Sequence, residues 1–242
     1  SFESTIHEAG HGLYELNLPE KDAYNILGSA PSLGIHESQS RFWENMIGKS
    51  RYFWEYYFPV FKKEFNLDGS FEQWFREVNF VQPSFIRVEA DEVTYCLHVI
   101  LRFEIELGLI DGTIKVKDLP KIWNMKMKEN LGITPKNDKE GVLQDVHWSG
   151  GNIGYFPTYA IGTIYAAQLY SKLVKEKKNV EKQIRDGNYS EVAEWLKKNV
   201  HSKGSILLAD DIIKKVCGEG LNPEVYIKYL RKKFSGIYGF KI

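Results

Sequence analysis

Along most of this chain apolar residues recur at spacings of three and four, and the every-other-residue alternation of a half-buried strand is scarce. That spacing matches the roughly 3.6 residues of a helical turn, so segment after segment presents an apolar stripe that other helices must cover. The fold class this dictates is all-α. With 242 residues, 43% of them hydrophobic, the chain has material enough for a sizeable buried core. It carries no internal repeat and no low-complexity linker, so residues 1–242 are read as one helical domain.

Start and stop signals place the helices. A first helix spans Phe2 to about Leu16, and a Gly-, Pro- and Ser-rich loop follows it, ending in Gly28-Ser29-Ala30-Pro31-Ser32-Leu33-Gly34. A second runs from near Ile35 to about Gly48, and Ser50 caps a third, aromatic helix that Pro59 kinks or restarts. A short helix opens at Ser70 and ends about Val81, Gln82 to Val88 is extended around Pro83, and Asp91 caps a long helix to Leu109. Leu119 to Leu131 is helical, Gly132 to Val146 is a loop, and a helix from about Tyr155 to Lys175 follows the glycine-broken turn Ser149-Gly150-Gly151-Asn152. Three or four shorter amphipathic helices complete the chain. The aromatic run Phe53 to Phe58 is core or dimer surface, His98 is structural, and His201, near a polar turn, faces solvent.

The chemistry is concentrated at the start of the chain, in His7-Glu8-Ala9-Gly10-His11 on the first helix. Residues four apart share a helical face, so His7 and His11 can aim ring nitrogens at one ion about 2.0–2.1 Å away. Glu8 stands beside them, placed to take a proton from metal-bound water and return it to a leaving amine. Chance alone produces this five-residue pattern often, so a further ligand is required. The second helix offers it in Ile35-His36-Glu37-Ser38-Gln39-Ser40-Arg41. Glu37 would complete a set of two imidazoles, one carboxylate and a water, with His36 as the competing donor. Neighbouring helical residues diverge by about 100°, so only one of the two can face the ion, and the usual peptidase set favours Glu37. Gln39 and Ser40 either support the ligands or belong to a solvated helix end. Zinc is the expected ion, with cobalt also accepted by such donors.

These residues, with Phe42-Trp43-Glu44-Asn45 after them, resemble the paired signatures of the carboxypeptidase Taq family. Ile86-Arg87-Val88-Glu89-Ala90-Asp91 is similar to the family's I-R-x-x-A-D motif, and Gly141-Val142-Leu143-Gln144-Asp145-Val146-His147-Trp148 to its G-x-x-Q-D-x-H-W motif. The resemblance implies His7, His11 and Glu37 as ligands, Glu8 as general base and acid, and an all-helical fold with a deep groove. It also implies a homodimer that removes single residues from peptide C-termini, here read as having broad specificity. The family's upstream H-P-F and D-x-R-x-T motifs do not occur here. With no initiator Met and a chemically rich helix at once, the chain is expected to be the C-terminal portion of a longer peptidase.

A carboxypeptidase must recognise a terminal carboxylate, for which an Arg fork donating two parallel hydrogen bonds is the natural partner. Arg87 is the candidate, a structural salt bridge to Glu89 or Asp91 being the ordinary alternative. Stabilising a tetrahedral intermediate calls for a donor near the developing oxyanion, and His147 and Tyr155, with Tyr159 ranked after them, lie in a glycine-rich segment that permits close approach. Gln144 and Asp145 would orient His147 or cap a helix.

Charge and cysteine content narrow the classes. Lys plus Arg and Asp plus Glu number 32 each, so no net field favours nucleic acid or an anionic membrane. Two widely separated cysteines, Cys96 and Cys217, point to a reducing compartment, and no apolar run approaches the ~18 residues of a membrane span. The protein is therefore expected to be cytoplasmic. Two readings compete with the carboxypeptidase: an aminopeptidase or endopeptidase on the same zinc, and a non-catalytic metal-binding half that dimerises.

Overall fold

The computed structural model describes residues 2–241, and among them every regular element is helical. In chain order these are α1 (Phe2–Glu15), α2 (Leu33–Arg41), α3 (Arg51–Glu64), α4 (Phe71–Val78), α5 (Tyr95–Ile110) and α6 (Leu119–Leu131). They continue with α7 (Pro157–Glu176), α8 (Val180–Arg185), α9 (Ser190–Asn199), α10 (Ala209–Cys217) and α11 (Pro223–Tyr238). Ser50 caps α3 as expected, accepting from the Phe53 backbone N–H at 3.2 Å, and Ser32 caps α2, accepting from that of Ile35 at 3.1 Å. Asp91 does not cap α5: Thr94 holds the N-cap position, and Asp91 instead accepts from the backbone N–H groups of Val93 and Thr94, each at 2.9 Å, in the turn before the helix.

Local structure departs from the sequence expectation at three places. The second helix is α-helical only to Arg41 and continues as a π-helical stretch, Phe42–Gly48, a wide-turn geometry that is rare and concentrated at functional sites. Pro59 lies inside α3 without ending it. Its missing hydrogen bond costs about 3 kcal/mol, which aromatic contacts on both sides offset: Trp54 meets Phe53, Phe61 and Trp74, and Phe58 meets Phe71. Arg87–Glu89 forms a single tight turn at the end of the stretch expected to be extended.

The chain forms two compact units, one comprising the residues up to Val78 together with those from Ile161 onward, the other Asn79–Ala160. In the first, α1 lies across α2 at backbone distance: a Cβ added to Gly10 would stand 2.7 Å from both the Gln39 carbonyl oxygen and the Ser40 Cα. The part of α7 in this unit closes on α2 from elsewhere, and a Cβ on Gly162 would lie 2.7 Å from Cβ and Cγ of Glu37. Ile35, Phe42, Leu169, Leu173 and Leu196 are among the side chains sealed in this core.

The second unit is built on α5 and α6, whose Leu101, Ile105, Trp123, Met127 and Leu131 enclose a core with Val142. A smaller cluster gathers Tyr95, Val99 and Phe156. No described helix is long and apolar enough to cross a membrane.

Candidate functional site

In the first unit, α1 presents His7 and His11 one turn apart with their ring centroids 4.9 Å from each other, and the close α1–α2 crossing brings Glu37 against them. Glu37 Oε2 stands 3.7 Å from His7 Nε2 and 3.5 Å from His11 Nε2, and one donor atom from each residue lies within 4.8 Å of the others. A tetrahedral zinc with bonds of 2.0–2.1 Å separates its ligand atoms by about 3.3–3.4 Å. The donor set therefore fits a divalent ion in both chemistry and spacing. Glu8, adjacent to His7 on α1, is exposed.

Each donor is held from behind. His7 Nδ1 meets Glu44 Oε2 at 2.8 Å, and Glu44 lies in the π-helical stretch that extends α2. Arg41 joins the two carboxylates, donating from Nε to Glu37 Oε1 at 2.9 Å and from Nη1 to Glu44 Oε2 at 3.1 Å. Ser40 Oγ donates to Glu37 Oε2 at 3.2 Å. Burial alone would raise the Glu37 carboxyl, but its hydrogen bond with His11 and the charges of Arg41 and His7 outweigh it and hold the group low. Burial is likewise outweighed at Glu44, where Arg41 and His7 bring the carboxyl down to about 2.

His36 is not among the converging donors. Its Nδ1 is 2.6 Å from His11 Nδ1 and its Nε2 is 2.7 Å from Glu15 Oε1. Gln39 and Ser40 are fully buried rather than a solvated helix end. Gln39 Oε1 is 2.9 Å from Nε2 of His201, a residue only 2% exposed. The solvent-facing reading of His201 is thus corrected: the polar turn exposes Ser202, while the imidazole turns inward to satisfy Gln39. Burial, with a smaller push from Lys197, pulls the His201 pKa down to about 4.

In the second unit the expected recognition residues form one cluster. Arg87 donates from Nε and Nη2 to Asp145 Oδ1 at 3.0 and 2.8 Å, and from Nη1 to the Tyr95 hydroxyl at 3.2 Å. Its carboxylate partner is thus Asp145, far along the chain, rather than the nearby Glu89 or Asp91. Gln144 serves the backbone, accepting from the Arg87 N–H at 2.8 Å and donating to the Phe85 carbonyl at 2.6 Å. His147 Nε2 lies 2.9 Å from the Tyr159 hydroxyl and His147 Nδ1 3.8 Å from Asp145 Oδ1. The Tyr155 ring is 5.4 Å from both His147 and Tyr159. Burial, reinforced by Arg87, lowers the His147 pKa.

Sequence reasoning missed several members. Arg102, 0% exposed, takes the other oxygen of Asp145, donating from Nε to Oδ2 at 2.7 Å. Burial brings its pKa down to about 10, although Asp145 opposes the shift. Glu44 and Arg41 carried a signal, since Glu37, Arg41 and Glu44 recur at four and three residues along one face. Gly10 and Gly162 carried none, because a close approach between distant segments leaves no local trace.

The family model for carboxypeptidase Taq (M32) metallopeptidase matches residues 1–234. Carboxypeptidase 1 of Bacillus subtilis is 45% identical over 241 residues, covering 97% of this chain and 47% of that protein. Thermostable carboxypeptidase 1 of Thermus thermophilus is 44% identical over 237 residues, 97% of this chain and 46% of its own length. Among solved structures, the M32 carboxypeptidase from Deinococcus radiodurans R1 superposes with a TM-score of 0.95 at 40% identity, covering 98% of this chain and 49% of that one. The chain spans about half the length of the curated relatives it matches.

Proposed function

Because the chain belongs to the carboxypeptidase Taq (M32) metallopeptidase family, we propose that it hydrolyses the C-terminal peptide bond of peptides using water activated at a divalent ion held by His7, His11 and Glu37. The observation that carries this reading is the convergence of the three donor atoms within 4.8 Å. Zinc is the proposed ion, with cobalt an acceptable substitute. When bound, such an ion supplies Lewis acidity and brings the pKa of its water toward neutrality.

Glu8, beside His7 on α1, would serve as the general base and acid, accepting a proton from the attacking water and returning it to the leaving amine. Arg87 recognises the terminal carboxylate. Two guanidinium groups, Arg87 and Arg102, share the single carboxylate of Asp145, so the triad keeps one positive charge among side chains largely shielded from water. Gln144 and Asp145 fix the Arg87 backbone and fork, and Tyr159 packs its ring 4.6 Å from the guanidinium carbon. His147 and Tyr155 are assigned to hydrogen bonding of the developing oxyanion. The whole chain acts as one catalytic domain of a cytoplasmic homodimer. A reducing compartment is the one in which two cysteines as widely separated as Cys96 and Cys217 are kept as thiols.

The test supplies zinc-loaded protein with an N-terminally blocked peptide bearing a free C-terminus, and with its C-terminally amidated twin. Release of the last residue from the first alone is the expected outcome. Equal cleavage of the twin would indicate an endopeptidase, and a requirement for a free N-terminus an aminopeptidase. Since the chain covers about half of each relative, metal binding without turnover is the second reading. Full zinc content with no released residue would decide for it.

A further inference from the structure

We propose that His36 is a positioning residue, holding the His11 ring in its metal-binding pose through a hydrogen-bond relay that ends on Glu15. The proposal rests on the reading that His7, His11 and Glu37 hold a divalent ion, and it goes beyond the ligands to an asymmetry in how the two imidazoles are supported.

A metal-bound imidazole needs its second nitrogen fixed, because that contact selects the tautomer, orients the ring and raises its basicity. For His7 the contact is direct, the largely shielded Glu44 carboxylate at 2.8 Å, itself pinned by Arg41. His11 has no carboxylate in the corresponding place. Another imidazole stands there, with His36 Nδ1 2.6 Å from His11 Nδ1.

Two ring nitrogens at that separation share one hydrogen, so one donates and the other accepts. His11 directs Nε2 toward Glu37 Oε2 at 3.5 Å, the side on which an ion would sit, which leaves its hydrogen on Nδ1. His11 Nδ1–H therefore donates and His36 Nδ1 accepts. The His36 hydrogen is then on Nε2, and the acceptor there is Glu15 Oε1 at 2.7 Å. Glu15 thus fixes the tautomer of a ligand it never touches. The Tyr14 ring, fully buried, meets His36 edge-on with centroids 5.3 Å apart and limits its rotation.

The relay also explains why His36 and Glu37, adjacent in sequence, need not compete for the ion. They diverge around α2, so that Glu37 reaches the donor cluster while His36 passes behind His11. The two supports differ in solvent contact: the Glu15 side chain is 57% exposed, whereas the Glu44 side chain is 13% exposed. His11 is accordingly the ligand whose hold on the ion can be tuned from the surface.

The test is a double-mutant cycle on the zinc dissociation constant of the full chain, measured by chelator competition. His36→Leu is expected to weaken zinc binding about 10- to 100-fold, the usual cost of removing a group behind a ligand. Glu15→Gln should weaken it by a smaller factor. The double variant should bind no worse than His36→Leu alone, since Glu15 acts only through His36. Additive losses, or an unchanged dissociation constant in His36→Leu, would overturn the relay, as would a loss as complete as that of His7→Ala, which would make His36 itself a ligand. Absence of zinc from the wild-type chain would instead remove the metal reading beneath it.

Discussion

Single side chains here do work that their residue type advertises only in part. His201 and His98 are both buried imidazoles, and desolvation is the first cause of their low pKa values, about 4 and about 3. The unfolded chain takes up a proton at His201 near the ordinary 6.5, whereas the folded chain resists until about 4, so this residue destabilises the fold progressively as pH falls through that window. In His201→Gln, which keeps a donor for Gln39, the stability lost between pH 7 and pH 4 should be smaller by roughly 3 kcal/mol. Denaturant titrations of the metal-free protein at several pH values measure it, and parallel pH profiles would contradict the assignment. At this scale the sequence exposed the three donors that converge, His7, His11 and Glu37, because their spacing on α1 and the adjacent motif on α2 are local patterns. It concealed Arg102, a cation whose burial is set by Asp145 and by the Trp123 ring 4.6 Å away. It misplaced His201 because a polar turn reads as solvated whichever way its first side chain points.

Among the elements, α1 and α2 matter most, and what brings them together is the absence of side chains. Gly10 admits the backbone of α2 onto α1, and Gly162 of α7 leaves room for the Glu37 stem. Ala is favoured over Gly inside a helix by about 1 kcal/mol, so Gly162→Ala sets a local gain against a collision with the Glu37 stem. Zinc affinity is expected to fall in Gly162→Ala while the helical content is kept. Gly12→Ala, where an added Cβ meets nothing within 4 Å, should raise the melting temperature and leave zinc binding unchanged. Chelator competition and thermal melts on both variants check this. The extents of α1 and α6 and the Ser50 cap were legible from periodicity and capping chemistry, whereas the expected Asp91 cap falls in the turn before α5. The π-helical stretch and the unbroken passage of α3 through Pro59 were not, since packing by aromatic residues remote in sequence overrides local preference.

For the whole molecule, the all-helical class followed from one periodicity, and the family followed from four motifs spread between His7 and Trp148. The division into two compact units had no counterpart in composition, because no linker or change of residue usage marks either junction. Each unit nonetheless gathers its own motif residues: the first collects His7, His11 and Glu37, and the second the Arg87, Asp145 and His147 cluster. The claim on which the rest depends is that three side chains from two crossing helices grip one divalent ion. X-ray absorption at the zinc edge, on protein loaded with one equivalent of zinc, tests it most directly. The expected spectrum contains two imidazole nitrogens at about 2.0–2.1 Å and a carboxylate oxygen at about 2.0–2.2 Å, the oxygen being lost in Glu37→Gln. A protein that takes up no zinc, or an identical spectrum in Glu37→Gln, would contradict it.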